Sequence, residues 1–219
     1  MRLILLGPPG SGKGTQAKLL CQRLGLCHFS TGDILREAVR NGTTAGRKAQ
    51  AIMAAGQLVP DEIVNEIVAA RFRNHDRPER FVMDGYPRTL AQALAFDDVL
   101  KSQSLDLSAV VSLVLEDSEV VRRLGGRWSC PNPTCMATYH MMTKTPKKPG
   151  VCDECQTPLV QREDDREETI RNRLAVFHRE NDGLVNHYQD QRLLREVAGH
   201  GDIEDVYAQI IEAIKGKKK

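Results

Sequence analysis

The 219-residue sequence lacks an excess of charge of either sign, since 31 lysines and arginines oppose 29 aspartates and glutamates. A nucleic-acid coat protein or a polybasic membrane protein needs a basic excess, so this balance argues against both. No apolar run approaches the roughly 20 residues of a membrane span, and the run before Pro8 is too short for a signal peptide. We therefore expect a cytoplasmic protein with neither a membrane nor a nucleic-acid partner, and a monomer, since nothing in the sequence calls for a partner chain.

Cysteine is also scarce, and four of the six cysteines are clustered in CPNPTC (130–135) and CDEC (152–155). Two thiolate pairs across a hairpin-length gap match a closed structural zinc site, with ligands Cys130, Cys135, Cys152 and Cys155. Disulfides or unliganded thiols are the alternatives, and a cytoplasmic protein favours zinc. We expect Cys21 and Cys27 to be buried core thiols.

Short apolar runs alternate with longer amphipathic segments along the chain. The runs at 2–7, 80–85 and 108–117 predict buried strands, with weaker candidates at 26–31 and 193–198. Helical periodicity lies between them, at 14–24, 61–72, 89–101, 118–124, 165–190 and 203–215. This alternation predicts an α/β fold of three layers, with a parallel sheet covered on both faces. Two stretches, 30–59 and 127–163, interrupt the rhythm and are interpreted as insertions.

The stretch GPPGSGKGTQ (7–16) follows a predicted strand and opens a predicted helix. Gly7, Gly12 and Lys13 have phosphate-loop spacing, in which backbone N–H groups and a helix N-terminus face an anion. The residue after the lysine is Gly14, where the general pattern has a serine or threonine that binds magnesium. We therefore expect Mg²⁺ to be held mainly by nucleotide phosphates and water, with a secondary role for Thr15. A loosely held metal suits transfer between two bound nucleotides.

Five motifs together resemble the adenylate kinase family over nearly the whole chain: GPPGSGKGTQ, STGDILR (30–36), DGYPRT (84–89), RLGGR (123–127) and REDDREETIRNRL (162–174). The resemblance is strongest to the long-lid bacterial form whose lid carries zinc. It implies the reaction ATP + AMP = 2 ADP with Mg²⁺, and a P-loop kinase core. The implied divisions are a core of 1–29, 60–126 and 164–219, an AMP-binding insertion at 30–59, and a zinc-stabilised lid at 127–163.

The resemblance also implies three groups of site residues. Those assigned to catalysis are Lys13, Asp84, Arg88, Arg123, Arg162 and Arg173. Those assigned to ATP are Gly10, Ser11, Gly12, Lys13, Gly14, Thr15, Arg127, Thr138, Tyr139 and Gly201. Those assigned to AMP are Thr31, Arg36, Gln57, Leu58, Val59, Gly85, Tyr86, Pro87, Arg88, Gln92, Arg162 and Arg173.

Several of these residues have more specific expected roles. Thr31 and Gln92 favour adenine as the acceptor base. Asp84 is expected to orient magnesium-bound water, the alternative being a cap on the next turn. Asp164 and Asp165 are expected to pair with the lid arginines. The first cysteine pair has two residues more than the family's usual C-x₂-C, which places in doubt the turn that donates amides to its thiolates.

Two other functions remain open at this level. The chain could be a kinase for another nucleoside monophosphate, UMP, CMP or GMP. The cysteine hairpin with its KTPKK run (144–148) could instead be a zinc-ribbon nucleic-acid module joined to an NTPase. Those lysines are more simply the solvated tip of a lid, because few aromatic residues lie near them for base stacking.

Overall fold

Five parallel strands form the central sheet of the computed structural model, which describes residues 1–74 and 77–216. The strands of the protein are β1 (Arg2–Leu6), β2 (Cys27–Ser30), β3 (Phe81–Asp84), β4 (Ala109–Val114), β5 (Arg127–Ser129), β6 (Thr138–His140) and β7 (Leu194–Ala198). The central sheet has the order β2-β3-β1-β4-β7, and all of its neighbouring pairs are parallel. The parallel sheet predicted from the alternating pattern is therefore confirmed.

Eight α-helices occur in the described residues: α1 (Lys13–Leu24), α2 (Thr31–Arg40), α3 (Thr44–Ala54), α4 (Asp61–Arg73), α5 (Leu90–Ser102), α6 (Asp117–Gly125), α7 (Glu167–Asp190) and α8 (Ile203–Lys215). The six predicted helices are all present, and α2 and α3 occupy the stretch interpreted as a helical insertion. The helix predicted from residue 165 begins two residues later, because Glu163–Asp165 form a separate 3-10 turn. Among these helices, none is both long and apolar enough for a bilayer crossing.

Apolar residues of the central strands are buried on both faces of the sheet. On one face, Leu3 of β1 packs in a cluster with Leu20 of α1 and Ile210 of α8. On the other face, Ile4 packs in a cluster that includes Phe96 of α5. Residues adjacent in a strand point to opposite faces, so a continuous apolar run is what a doubly covered strand requires. The three-layer α/β prediction is confirmed.

The carboxyl ends of the parallel strands all open onto one edge of the sheet. The segment 7–12 follows β1, Thr31 follows β2, and Gly85 follows β3. In open parallel sheets this edge is where ligands bind. The fold therefore brings three of the five sequence motifs to one place.

Residues 127–163 contain a small antiparallel sheet of their own, in which β5 pairs with β6. Trp128, Tyr139 and Leu159 pack with the clustered cysteines in a separate apolar core. This core is small, so the segment has little apolar burial with which to hold its shape.

The expected burial of the two remaining cysteines is wrong for Cys27 and only partly right for Cys21. Cys21 is half-buried in α1 and packs against the apolar cluster on its face of the sheet. Cys27 is exposed, because it begins β2, which is the edge strand. The order of strands in the sheet cannot be read from the apolar pattern of one strand.

Candidate active site

The loop between β1 and α1 has the backbone of an anion-binding cradle. Gly7, Gly10 and Gly12 have φ values of 134°, 77° and 94°, a region that side chains other than hydrogen strongly disfavour. Gly12 is also the N-cap of α1, so the free N–H groups of the first helical turn lie at the end of the loop. Successive backbone N–H groups and the helix N-terminus together favour a phosphate group at this position.

Lys13 is folded back onto the loop that precedes it. Its Nζ donates hydrogen bonds to the carbonyl oxygens of Gly7 and Pro8, both at 2.7 Å, and lies 3.3 Å from Ser11 Oγ. These three oxygens hold Nζ beside the loop, and the oxygens of a bound phosphate could replace them as its hydrogen-bond partners. The lysine is thus placed at the cradle before any ligand binds.

The surroundings of Lys13 disfavour its charged form. Desolvation is the main cause that lowers its pKa to about 7, and the guanidinium groups of Arg88, Arg173 and Arg127 lower it further. Asp84 acts in the opposite direction. A phosphate group beside Nζ would restore the charge, because a nearby anion favours the ammonium form.

Gly14 leaves room for the Asp84 carboxylate. A Cβ added at residue 14 would lie only 3.2 Å from Asp84 Oδ2, which is tighter than ordinary van der Waals contact. A serine at this position would therefore require the carboxylate, at the end of β3, to shift by a few tenths of an ångström. Asp84 also lies 3.5 Å from His28 Nε2. Within the described residues, no hydrogen bond joins Asp84 to the turn after β3, so a capping role has no support.

An open cleft of about 580 Å³ lies beside the cradle, between the sheet edge and the helical insertion. Nine of the twelve residues predicted for AMP line it: Thr31, Arg36, Gln57, Leu58, Val59, Gly85, Arg88, Gln92 and Arg173. The sequence analysis missed Gly32, Leu35, Met53, Gly56 and Val64, which also line the cleft. Gly32 and Leu35 belong to the quoted STGDILR motif, which was the available signal for them.

The three remaining residues predicted for AMP lie outside the cleft lining. Tyr86 is buried, and its hydroxyl donates to Asn65 Oδ1 at 2.8 Å, so its ring belongs to the core. Pro87 follows it through a cis peptide bond. Arg162 has its Nε 3.1 Å from Ser129 Oγ, at the base of the lid segment.

Gln92 is held by hydrogen bonds on both sides of its amide group. Its Oε1 accepts from the backbone N–H of Arg88 at 2.8 Å, and its Nε2 donates to Asp61 Oδ1 at 2.7 Å. The other carboxylate oxygen of Asp61 accepts from the Thr89 hydroxyl at 2.7 Å. Sequence reasoning missed Asp61 as a site residue, because an acid in the first turn of a helix is explained by the helix dipole alone.

Two adjacent carboxylates hold arginines at the junction of lid and core. Arg127 makes a bidentate ion pair with Asp165, at 2.8 and 2.6 Å. Arg173 donates to the backbone oxygen of Asp164 at 2.9 Å and to its carboxylate at 3.0 Å. The expected pairing of Asp164 and Asp165 with arginines is therefore present, although only Arg127 belongs to the lid segment.

Arg123 is held by a separate set of partners at the end of α6. Its Nε donates to Glu119 Oε1 at 2.7 Å and its Nη1 donates to the carbonyl oxygen of Gly199 at 2.9 Å. Hydrogen bonds from Arg122 and Arg123 lower the pKa of Glu119 to about 2. Sequence reasoning also missed Glu119, whose spacing from Arg123 is that of an ordinary i, i+4 surface pair.

Positive charge is concentrated around the cleft. Desolvation, with Arg173 nearby, lowers the pKa of Arg88 to about 10. Desolvation, with Arg36 and Arg127 nearby, lowers the pKa of Arg162 to about 10. Desolvation is the larger cause for both groups, and the smaller effect of the neighbouring guanidinium groups reflects their closeness to one another. Such a field favours a polyanion in the cleft.

The four clustered cysteines bring their sulfur atoms together in the lid. All four Sγ atoms lie within 4.8 Å of one another, with Cys130 and Cys155 3.3 Å apart and Cys135 and Cys152 3.6 Å apart. Disulfides are absent, since all six cysteines of the chain are free thiols. A tetrahedral zinc with Zn–S bonds of about 2.3 Å sets its sulfurs about 3.8 Å apart. The arrangement therefore suits one zinc ion.

Both cysteine turns supply backbone N–H groups to the sulfurs. In the longer first turn, Asn132 donates to Cys130 and Ala137 donates to Cys135. In the second turn, hydrogen bonds from the side chain and backbone of Thr157 lower the pKa of Cys155 to about 6. The two extra residues of CPNPTC do not remove the amide donors that a thiolate turn needs.

The remaining predicted ATP residues differ in where their side chains lie. Thr138 is half-buried, whereas Tyr139 points into the small core of the lid and its hydroxyl accepts from the Asp153 N–H at 2.8 Å. His140 is a hydrogen-bond partner, and its Nδ1 accepts from the backbone N–H of Met142 at 3.2 Å. Gly201 is exposed just after β7, with φ of 103°.

The chain is similar to known proteins over nearly its whole length. A family model described as adenylate kinase matches residues 5–193. A relative named adenylate kinase from Archaeoglobus fulgidus is 46% identical over 219 residues, which cover 100% of both chains. Another from Citrifermentans bemidjiense is 50% identical over 215 residues, covering 98% of this chain and 100% of the relative. A third, from Rhizobium rhizogenes, is 47% identical over 218 residues, covering 99% and 100%.

The contact between Gly14 and Asp84 makes a first prediction. Gly14→Ser restores the general phosphate-loop pattern, but its added atoms displace the Asp84 carboxylate. We expect kcat/KM for ATP to fall by about tenfold or more, which corresponds to about 1.4 kcal/mol of transition-state stabilisation. Steady-state kinetics of the folded variant measure this loss. Thr15→Ser, one residue along and with its hydroxyl kept, is the control and should stay within about twofold of the wild type. Full activity in Gly14→Ser would contradict the steric account.

Proposed function

Because the chain belongs to the adenylate kinase family and is a phosphotransferase, we propose that it transfers the terminal phosphoryl group of MgATP reversibly to AMP, forming two ADP. One observation carries the proposal. A phosphate cradle at the end of β1 and a cleft at the ends of β2 and β3 open onto the same edge of the sheet. Two nucleotides bound there would meet at their phosphates.

Lys13 is proposed to act on the donor phosphates. Transfer of a phosphoryl group needs little covalent help from a protein, so catalysis comes from positioning and from cations that stabilise the spreading charge. The ammonium group of Lys13 would exchange the carbonyl oxygens of Gly7 and Pro8 for phosphate oxygens. The N–H groups at the start of α1 would bind the same phosphates.

The arginines are proposed to divide between the acceptor and the migrating phosphoryl group. Arg36 and Arg88 line the cleft and would hold the acceptor phosphate, since a planar guanidinium binds two oxygens at once. Arg36 is held in place by Asp33, at 2.6 Å. The arginines proposed to close over the migrating group are Arg123, Arg127, Arg162 and Arg173.

Magnesium bound with ATP would neutralise phosphate charge and align the phosphates for transfer. The residues near the cradle fit this ion, because Asp84 offers a carboxylate against Gly14 and Thr15 offers an exposed hydroxyl. Asp84 would hold it through water. The loop residues offer magnesium few ligands, so the phosphates of the nucleotide would supply most of its contacts.

The two insertions are proposed to move. With 1–29, 60–126 and 164–219 as a core, segments 30–59 and 127–163 would close over the nucleotides and exclude water. Exclusion is needed because water competes with AMP for the phosphoryl group. The ion pair of Arg127 with Asp165 crosses the junction of lid and core, so it would rearrange on closure.

A structural zinc ion is proposed for the lid, held by Cys130, Cys135, Cys152 and Cys155. The short distances between the four sulfurs and the N–H donors of both turns support this proposal. Four protein ligands leave no open position, so the ion would supply stability and no chemistry. It would compensate for the small apolar core of this segment.

We also propose that the protein works as a monomer in the cytoplasm, on small-molecule substrates, without a nucleic-acid or membrane partner. The near balance of 31 basic and 29 acidic residues supports the last part of this proposal, the lack of a nucleic-acid or membrane partner, because nonspecific polyanion binding requires a clear basic excess.

The acceptor specificity is the first test of the proposed function. Purified protein is supplied with MgATP and one monophosphate at a time, AMP, CMP, UMP or GMP, and formation of each diphosphate is measured. We expect AMP to be the best acceptor, with kcat/KM higher than for the others by about a hundredfold or more, because Thr31 and Gln92 line the cleft and would hydrogen-bond its base. A higher kcat/KM with CMP, UMP or GMP than with AMP would show that AMP is not the preferred acceptor.

Metal content tests the zinc proposal separately. We expect elemental analysis of protein purified without chelator to give one zinc per chain, released by a thiol-reactive mercurial. Cys152→Ala should lose the metal and melt at lower temperature, while Cys27→Ala, which alters an exposed thiol outside the lid, should keep it. Metal content near zero, with the four lid thiols freely titratable in the native protein, would contradict the zinc site and leave the kinase proposal intact.

A further inference from the structure

We propose that Asp61 determines acceptor-base specificity by fixing the orientation of the Gln92 amide, so that the site accepts adenine and rejects 6-oxopurines. Asp61 is absent from the residues that line the cleft, whereas Gln92 lines it. It is therefore a positioning residue that acts through Gln92. The inference rests on the proposed function, because it concerns the acceptor site of the same reaction.

The two partners of the Gln92 amide are each restricted to one hydrogen-bonding role. The backbone N–H of Arg88, 2.8 Å from Oε1, can only donate. The carboxylate of Asp61, 2.7 Å from Nε2, can only accept. If the amide were rotated by half a turn, its NH₂ would face the N–H and its oxygen would face the carboxylate. Gln92 is only 2% exposed, so water could not compensate for these losses.

Asp61 is itself held at the meeting point of two helices. It begins α4, and its second oxygen accepts from the hydroxyl of Thr89, the N-cap of α5. The same hydroxyl accepts the backbone N–H of Gln92 at 3.1 Å. Both oxygens of the carboxylate are thus occupied, and neither can turn to offer Gln92 a different partner. The amide orientation is built into the packing of α4 against α5.

A fixed amide can distinguish purines by their hydrogen-bonding edge. After the bonds to Arg88 and Asp61, one N–H and one oxygen lone pair of Gln92 are left for a ligand. Adenine offers an acceptor at N1 and a donor at its 6-amino group, which match this pair. A 6-oxopurine offers a donor at N1 and an acceptor at O6, the reverse pattern. A glutamine whose amide is free to rotate would accept either base, whereas Gln92 in its fixed orientation would lose both hydrogen bonds to a 6-oxopurine.

The test compares AMP with IMP, whose base has nearly the same size and the reversed edge. Asp61→Asn keeps the shape of the side chain but carries both a donor and an acceptor, so only the backbone N–H of Arg88 still opposes the rotated amide. We expect wild-type protein to prefer AMP over IMP in kcat/KM by about a thousandfold or more. In Asp61→Asn this ratio should fall by at least about tenfold, with a gain in efficiency for IMP.

Two control variants separate orientation from charge and general damage. Glu62→Gln removes the same charge from the same helical turn at an exposed position, and its ratio should equal that of the wild type. Asp61→Glu retains a group that only accepts, and its ratio should stay near that of the wild type even if both efficiencies fall. Should Asp61→Asn not fold, Thr89→Val, which removes the hydroxyl that holds Asp61, should also lower the ratio.

The outcomes distinguish this inference from the proposed function. Equal losses for AMP and IMP in Asp61→Asn, with an unchanged ratio, would mean that Asp61 only joins α4 to α5, and would overturn the inference. A wild-type protein that does not use AMP would overturn the proposed function itself. A lowered ratio in Asp61→Asn but not in Glu62→Gln supports both.

Discussion

The burial of several cations together at the carboxyl edge of the sheet, and their mutual repulsion there, is the constraint on which the rest of the site depends. Desolvation in this region and the neighbouring guanidiniums together lower the pKa of Lys13, Arg88 and Arg162. Lys13 and Arg88 converge because β1 and β3 end at the same edge of the sheet and each is followed by a sequence motif, and Arg162 joins them from the base of the lid. A polyanion is the ligand that relieves this repulsion, so the fold selects phosphate compounds before any base is recognised.

The carboxylates around the cleft keep this arrangement stable in the protein alone. Asp165 is almost fully buried and compensates Arg127, and Asp164 does the same for Arg173. Burial of Asp164 would raise its pKa, but the surrounding arginines, Arg173 first, outweigh that effect and lower it. A bound phosphoryl group could replace the carboxylates of Asp164 and Asp165 as the partner of these arginines, so that the guanidinium groups would need to move little. Preorganisation of this kind reduces the cost of assembling the transition state.

The sequence predicted the parts of the molecule that local patterns determine, and missed those that depend on neighbours in space. Strands and helices followed from apolar periodicity, and the cradle followed from glycine spacing at residues 7–12. Asp61 could not be recognised, because its role depends on Gln92 and Thr89, which lie in another helix and its cap. The expectation that Cys27 is buried was wrong, because its position on an edge strand depends on the order of strands in the whole sheet. The meaning of Gly14 appeared only when Asp84 was seen beside it.

Proton uptake on nucleotide binding tests the cation constraint most directly. At pH 8, above the lowered pKa of about 7, Lys13 is largely neutral in the free protein, and a bound phosphate raises its pKa and restores the charge. Calorimetric titration with ATP, without magnesium or AMP, in buffers of different ionisation enthalpy should show uptake approaching one proton per ATP bound. Lys13→Met should lose that uptake. Equal proton exchange in wild type and Lys13→Met, or no uptake in the wild type, would contradict the account.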